Sequence, residues 1–239
     1  MGRRGCRQRL SSLCHTHGFI SCSRNILRRR TTPLRAGLGD TQKGRCVHMT
    51  PHKELILGGQ RSGKSARAER LAAEWLIRSP AHRAVYVATA QAHDEEMRLR
   101  IARHQQDRAR RAPGMLTVES TDLGAQLNTH SRTGTAIVVD CLTLWLTYLL
   151  MPWQGTATPA AEAASRTDTL LQAICDCQAH LFIVSNEIGL GVIAPAPETR
   201  QFVDAMGQLN QRVAAVCSHV TFMAAGLPLP LKHPQETQS

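Results

Sequence analysis

The sequence predicts an α/β fold in three layers, with a mostly parallel central sheet between helices. Three observations carry this reading. Short apolar runs alternate with segments of helical periodicity from Glu54 to Ala224, the pattern of strand–helix–strand crossovers. The first run opens into Gly58-x-x-x-x-Gly63-Lys64-Ser65 and then a helix, the arrangement of a phosphate-binding loop. A later run, Thr135 to Asp140, ends in a carboxylate, as the metal-binding strand of such folds does.

Taken in order, residues 54–57 read as a short buried strand, followed by the glycine-rich loop and a helix with Ala and Leu at helical spacing. Residues 84–90 are a second strand that ends in small and polar residues. A helix over 94–108 follows, entered through Asp94, Glu95 and Glu96, whose charges suit a helix N-terminus. Residues 115–119 read as a third strand and 135–140 as a fourth. The segment 141–150 is apolar enough for a buried helix, and 151–160 is a Pro/Gly/Thr loop. A helix over 161–179, a strand over 181–185, a helix over 198–215 and a strand over 220–224 complete the pattern. No repeat stands out, and one domain over residues 49–233 with a short tail at 234–239 accounts for the length.

The formal charge of +11 suggests a nucleic-acid binder until it is located. Residues 1–48 hold ten Arg, one Lys and one Asp, so the chain from Met49 onward is close to neutral. Aromatic residues are 4% of the chain, too few for base-stacking platforms, so no specific nucleic-acid partner is expected. The basic segment fits an organelle transit peptide, a disordered anion-binding arm, or an upstream extension of a protein that starts at Met49; the last is preferred. No run approaches the ~18 apolar residues of a membrane span. Of eight cysteines, Cys6, Cys14, Cys22 and Cys46 lie in the basic segment, and no CxxC pair exists. Free reduced thiols in a cytoplasmic protein are the expectation.

The loop chemistry needs these residue types at these places. Glycines let backbone N–H groups turn inward around a β-phosphate, Lys64 reaches β- and γ-oxygens, and the Ser65 hydroxyl is a ligand for Mg²⁺. Arg61 either steers a γ-phosphate or is simply solvated. Asp140 holds the same cation directly or through water. Asn186 and Glu187 follow a strand directly, at the end where open parallel sheets gather their catalytic groups, although Glu187 also fits a plain surface carboxylate. His104 shares a helical side with Met97 and Ile101 among five arginines in residues 97–110, so spacing leaves it either a buried core histidine or a reagent.

The segments GGQRSGKS, VATAQ, DEEMRLRIARHQQDR, VVDCLTLWL, VSNEIGLGVIAP and RQFVDAMGQLNQRVA, in this order, resemble the bifunctional cobinamide kinase / cobinamide-phosphate guanylyltransferase family over residues 54–231. The resemblance implies a P-loop NTPase (RecA-like) fold and two transfers. ATP or GTP phosphorylates adenosylcobinamide, and GMP from GTP then passes through a GMP–histidine intermediate to the cobinamide phosphate. Residue by residue, the family's histidine falls on His104, which makes it the nucleophile, with Lys64 catalytic beside it. By the same resemblance Gly59, Gln60, Arg61, Ser62, Gly63, Lys64, Ser65 and Ala66, with Thr89, Ala90 and Gln91, hold nucleotide phosphates. Asp107, Arg108, Ala109 and Arg110 line the GTP site, Glu119 lies near the guanine, and Asp140 joins Ser65 at the metal. Asn186 and Glu187 fall on the cobinamide side. The resemblance further implies a homotrimer with sites at subunit contacts.

This chain departs from the family at Ala109, where proline is frequent, at Tyr148, where asparagine is, and in its N-terminal extension. A P-loop small-molecule kinase without guanylyl transfer is the alternative reading. A P-loop nucleic-acid motor is disfavoured by the neutral domain.

Overall fold

The structure is a computed structural model that describes residues 50–234. The basic segment 1–48 with its four cysteines, the proposed start at Met49, and residues 235–239 of the tail lie outside the described residues.

Among the described residues, seven strands form one sheet in the order β3-β2-β4-β5-β1-β6-β7. They are β1 (Lys53–Gly58), β2 (Arg83–Ala88), β3 (Leu116–Glu119), β4 (Thr135–Asp140), β5 (His180–Val184), β6 (His219–Ala224) and β7 (Leu227–Lys232). All neighbours pair in parallel except β6 with β7. The central strands are buried on both faces, as their near-continuous apolar runs require. Alternation divides them. Leu55, Leu57, Val85, Val87, Ile137 and Val139 face one core; Ile56, Tyr86, Ala136 and Val138 face the other.

The first core is covered by α3 (Leu123–His130), α4 (Leu142–Leu150), α5 (Ala160–Asp176) and α6 (Pro197–Val216), through Leu127, Trp145, Ile174 and Met206 among others. The second lies under α1 (Lys64–Leu76), which contributes Ala68 and Ala72. Neither core takes a residue from α2 (Glu95–Arg111), whose one buried side chain is Arg108. Asp94 caps α2 by accepting from the Met97 N–H at 2.7 Å.

Two sequence expectations need correction, and two further elements lie outside them. The second strand ends at Ala88 rather than residue 90, and Thr89 turns off to bond the chain after β4. The helix expected over 161–179 stops at Asp176, because Cys177 becomes extended and Ala179 is buried on the way into β5. Helix α3 was not anticipated, although Asp122 caps it from a sequence-legible position by accepting from the Ala125 N–H. Strand β7, LPLPLK, was also missed, since two prolines argue against a strand. They are tolerated because β7 is an edge, antiparallel to β6.

Candidate functional site

The loop from Gly58 to Lys64 joins β1 to α1 and is held from below by backbone bonds. Gly58 has φ 148°, and a Cβ there would stand 2.4 Å from the Met223 carbonyl oxygen, so the chain can pass β6 only as glycine. Glu187 N–H donates to the Gly58 carbonyl at 3.1 Å, and Gly226 N–H donates to the Ser62 carbonyl at 3.1 Å. Gly63 sits at φ 98° as the residue before α1. The first turn of α1 carries no acidic residue, which leaves the positive end of the helix dipole for an anion.

Lys64 is buried under this loop, and its Nζ donates to the Gly59 carbonyl at 2.6 Å. Burial lowers its pKa, while Asp140 opposes the shift and Arg100 adds to it. Gly59, Gln60 and Arg61 are exposed at the loop tip; Ser62 is buried; Ser65 and Ala66 are half-buried at the start of α1.

Asp140 closes β4 two strands from β1, half-buried, with its Oδ2 accepting from the Tyr86 hydroxyl at 2.6 Å. The Arg108 guanidinium lies over the Tyr86 ring, 3.9 Å from its centre. The histidine helix therefore docks on the same ring that restrains the carboxylate. His104 is exposed, one turn before Arg108 on the same helical face, and Arg100 is a turn further back. Met97 and Ile101 beside it are half-buried. The choice left open by spacing thus falls against a core histidine.

The remaining expected residues separate into two groups. Thr89 is buried, and its hydroxyl donates to the Cys141 carbonyl and accepts the Cys141 N–H. Its side chain is thereby committed to the protein. Gln91 is exposed, and its N–H donates to the Tyr148 hydroxyl at 3.0 Å, with Ala90 half-buried between. Asp107 is half-buried; Ala109, Arg110 and Glu119 are exposed. A cavity of about 490 Å³ runs between the end of α2 and β3, lined by Gln105, Arg108, Ala109, Met115 and Thr117. A larger cleft near Lys53 and Cys217 lies at the other ends of the strands and shares no residue with the loop.

Asn186 is fixed through its backbone: its N–H donates to Thr143 Oγ1 at 2.9 Å and its carbonyl accepts from Asn210 Nδ2 at 3.1 Å. Glu187 accepts from the Gly189 N–H at 2.8 Å. Sequence reasoning passed over Arg100, Tyr86 and Asn210. Only Arg100 was findable, from its four-residue spacing to His104.

A mostly parallel sheet, a buried loop lysine, an unopposed helix N-terminus and a strand-end carboxylate define a P-loop nucleotide-binding protein. Residues 54–231 match the family described as "Cobinamide kinase / cobinamide phosphate guanyltransferase". The chain belongs to that family. Its relatives include the Pseudomonas aeruginosa bifunctional adenosylcobalamin biosynthesis protein CobP, 44% identical over 181 residues, covering 75% of this chain and 97% of that protein. The Escherichia coli bifunctional adenosylcobalamin biosynthesis protein CobU is 30% identical over 187 residues, covering 74% and 98%. The Salmonella typhimurium protein of the same name is 32% identical over 187 residues, with the same coverages.

Proposed function

We propose that this protein phosphorylates adenosylcobinamide with ATP or GTP and then converts the phosphate to adenosylcobinamide-GDP through a GMP–His104 intermediate. The observation that carries this is the placement of His104. It stands exposed on the face of α2 whose next turn, Arg108, packs over the Tyr86–Asp140 pair. Family membership supplies the substrates.

In the kinase step the substrate hydroxyl attacks the γ-phosphorus, ADP or GDP leaves, and the hydroxyl proton passes to solvent. Lys64 and the loop N–H groups hold the phosphates in line. In the transfer step a neutral His104 ring nitrogen attacks the α-phosphorus of GTP. A nitrogen–phosphorus bond forms as the α–β bridge breaks, and pyrophosphate departs. Arg100 and Arg108, one turn to either side of His104 on α2, are the cations nearest to offset the growing charge. An oxygen of the cobinamide phosphate then displaces the histidine.

A cation such as Mg²⁺ fits the hard oxygen donors present. Ser65 offers a hydroxyl and Asp140 a carboxylate whose Oδ1 is left by the Tyr86 bond. One or two protein oxygens with phosphate and water completing the shell is usual for this ion. Bound there, it supplies charge neutralisation at the β- and γ-phosphates. Asn186 and Glu187 are assigned to the cobinamide side, and Glu119 with the cavity beside Ala109 to the guanine. A cytoplasmic homotrimer belongs to the same reading; exposed Leu190, Val192 and Ile193 after β5 offer apolar surface for assembly. No helix among the described residues is long and apolar enough to cross a membrane.

Incubation with GTP and Mg²⁺ followed by intact-mass measurement tests the proposal. The expected result is one acid-labile GMP adduct, absent in His104→Ala. Phosphorylation of cobinamide by a protein that never acquires GMP would instead favour the kinase-only alternative.

A further inference from the structure

Helix α2 has a weak apolar attachment. It gives nothing to either core, and Leu99 points to solvent. Two arginines at its C-terminal end dock it instead. Arg108 covers Tyr86, and Arg111 Nη1 donates to Glu69 Oε2 at 2.7 Å. Glu69 lies on α1, wholly buried, and its Oε1 has no hydrogen-bond partner among the described residues. Burial raises its pKa, against the pull of Arg111 and Arg108. Asp107 stands 3.7 Å from Arg111 Nη2 and keeps that guanidinium aligned from its own helix.

Such a pair is a poor way to gain stability. Two packed apolar side chains would join α1 to α2 at least as firmly, without a buried, half-satisfied carboxylate. What an ion pair adds is a fixed distance and direction. His104, Arg108 and Arg111 follow the i, i+4, i+7 spacing, so the anchored residues and the histidine share one face of the helix. His104 lies roughly 10 Å along the axis from Arg111. A small tilt about the anchor therefore moves the imidazole by an ångström or more. In-line attack requires the reacting atoms at about 3–3.5 Å, and a displacement of about 1 Å costs on the order of 100-fold in rate.

We propose that Glu69 is a positioning residue for guanylyl transfer: through Arg111 it sets the height and tilt of the helix that presents His104. This rests on the reading of His104 as the nucleotide carrier. Glu69 touches no substrate, being fully enclosed. The kinase step, served by the loop, Lys64 and Asp140, does not pass through it.

The test compares Glu69→Gln, Arg111→Gln and the double variant by two readouts on the full chain. One is the single-turnover rate of GMP loading at saturating GTP, followed by intact mass. The other is ATP-driven phosphorylation of cobinamide. GMP loading is expected to fall roughly 10- to 100-fold in each single variant. The double variant should be no worse than either, because both remove one link. Kinase turnover should stay within about threefold, and affinity for GTP should not change. Arg111 is half-exposed, so Arg111→Gln keeps the test valid if Glu69→Gln folds poorly. Unchanged GMP loading in both single variants overturns the inference and leaves the carrier reading intact. Parallel loss of both activities with thermal stability also overturns it, as a purely structural role. A wild-type protein that takes up no GMP overturns the carrier reading itself.

Discussion

The Tyr86 hydroxyl donates to Asp140 Oδ2 across 2.6 Å, from β2 to the end of β4. Both groups stand where the sheet faces α1 and α2, so the bond fixes the carboxylate before any nucleotide arrives.

Removing that bond while keeping the ring isolates its contribution. Tyr86→Phe should leave Arg108 its aromatic surface and lower stability by about 1 kcal/mol, read by urea unfolding. In the wild type the phenol is hard to ionise, because burial and the Asp140 charge both raise its pKa well above 10. Burial also raises Tyr148, the only other tyrosine. Ultraviolet titration of the folded protein at pH 10 should therefore show less than half of the phenolate signal of the unfolded chain.

Gly58 has no room for a side chain. A Cβ would stand 2.4 Å from the Met223 carbonyl oxygen and 2.7 Å from Ser62 Oγ, at a φ of 148°. Gly58→Ala should cost about 2 kcal/mol or more, since backbone must move. The same movement misaligns the loop, so nucleotide affinity measured by calorimetry should fall with it. Gly59→Ala, with nothing within 4 Å of its added carbon, is the control and should leave stability nearly unchanged.

Glu54 governs acid stability. Burial pushes its carboxyl upward, but hydrogen bonds from His52, Thr221 and Arg67 prevail and hold its pKa at about 2. The folded state thus binds fewer protons than the unfolded one through this window. The contribution is complete above pH 4.5 and disappears as pH falls through about 2. At about 1.4 kcal/mol per pH unit it amounts to roughly 3–4 kcal/mol. Glu54→Gln should flatten the stability–pH curve between those limits while lowering the plateau at neutral pH.

Thiol reactivity should be selective. Burial pushes Cys141 up to about 11 and Cys217 up to about 12, and Cys177 is enclosed. Cys175 is exposed at the end of α5. Peptide mapping after brief iodoacetamide treatment at pH 8 should find Cys175 modified first among these four.

Much of this arrangement was legible because it depends on local pattern. The glycine spacing, the apolar run ending at Asp140 and the Asp94 cap are each set by residues close together in the chain. What stayed hidden depends on pairs far apart in the chain. Tyr86 lies in an ordinary apolar strand, and only the β2–β4 pairing brings its hydroxyl to Asp140. Glu69 reads as a solvated helix residue until α2 covers it. Asn210 likewise meets Ser185 and Asn186 only when α6 returns over β5. Prolines hid β7, because the rule against them holds for strands with two neighbours and this strand has one.

The position of β1 between β5 and β6 also imposes an order of events on the ribosome. The segment that bears the phosphate loop is synthesised well before its two neighbours, which lie more than a hundred residues further along the chain. Leu55, Ile56 and Leu57 must wait, unpaired, for residues 180–184 and 219–224, on the order of ten seconds or more at typical elongation rates. A nascent chain therefore has no nucleotide site to be rescued by ligand, and its early hydrophobic strand is a natural client for a holding chaperone.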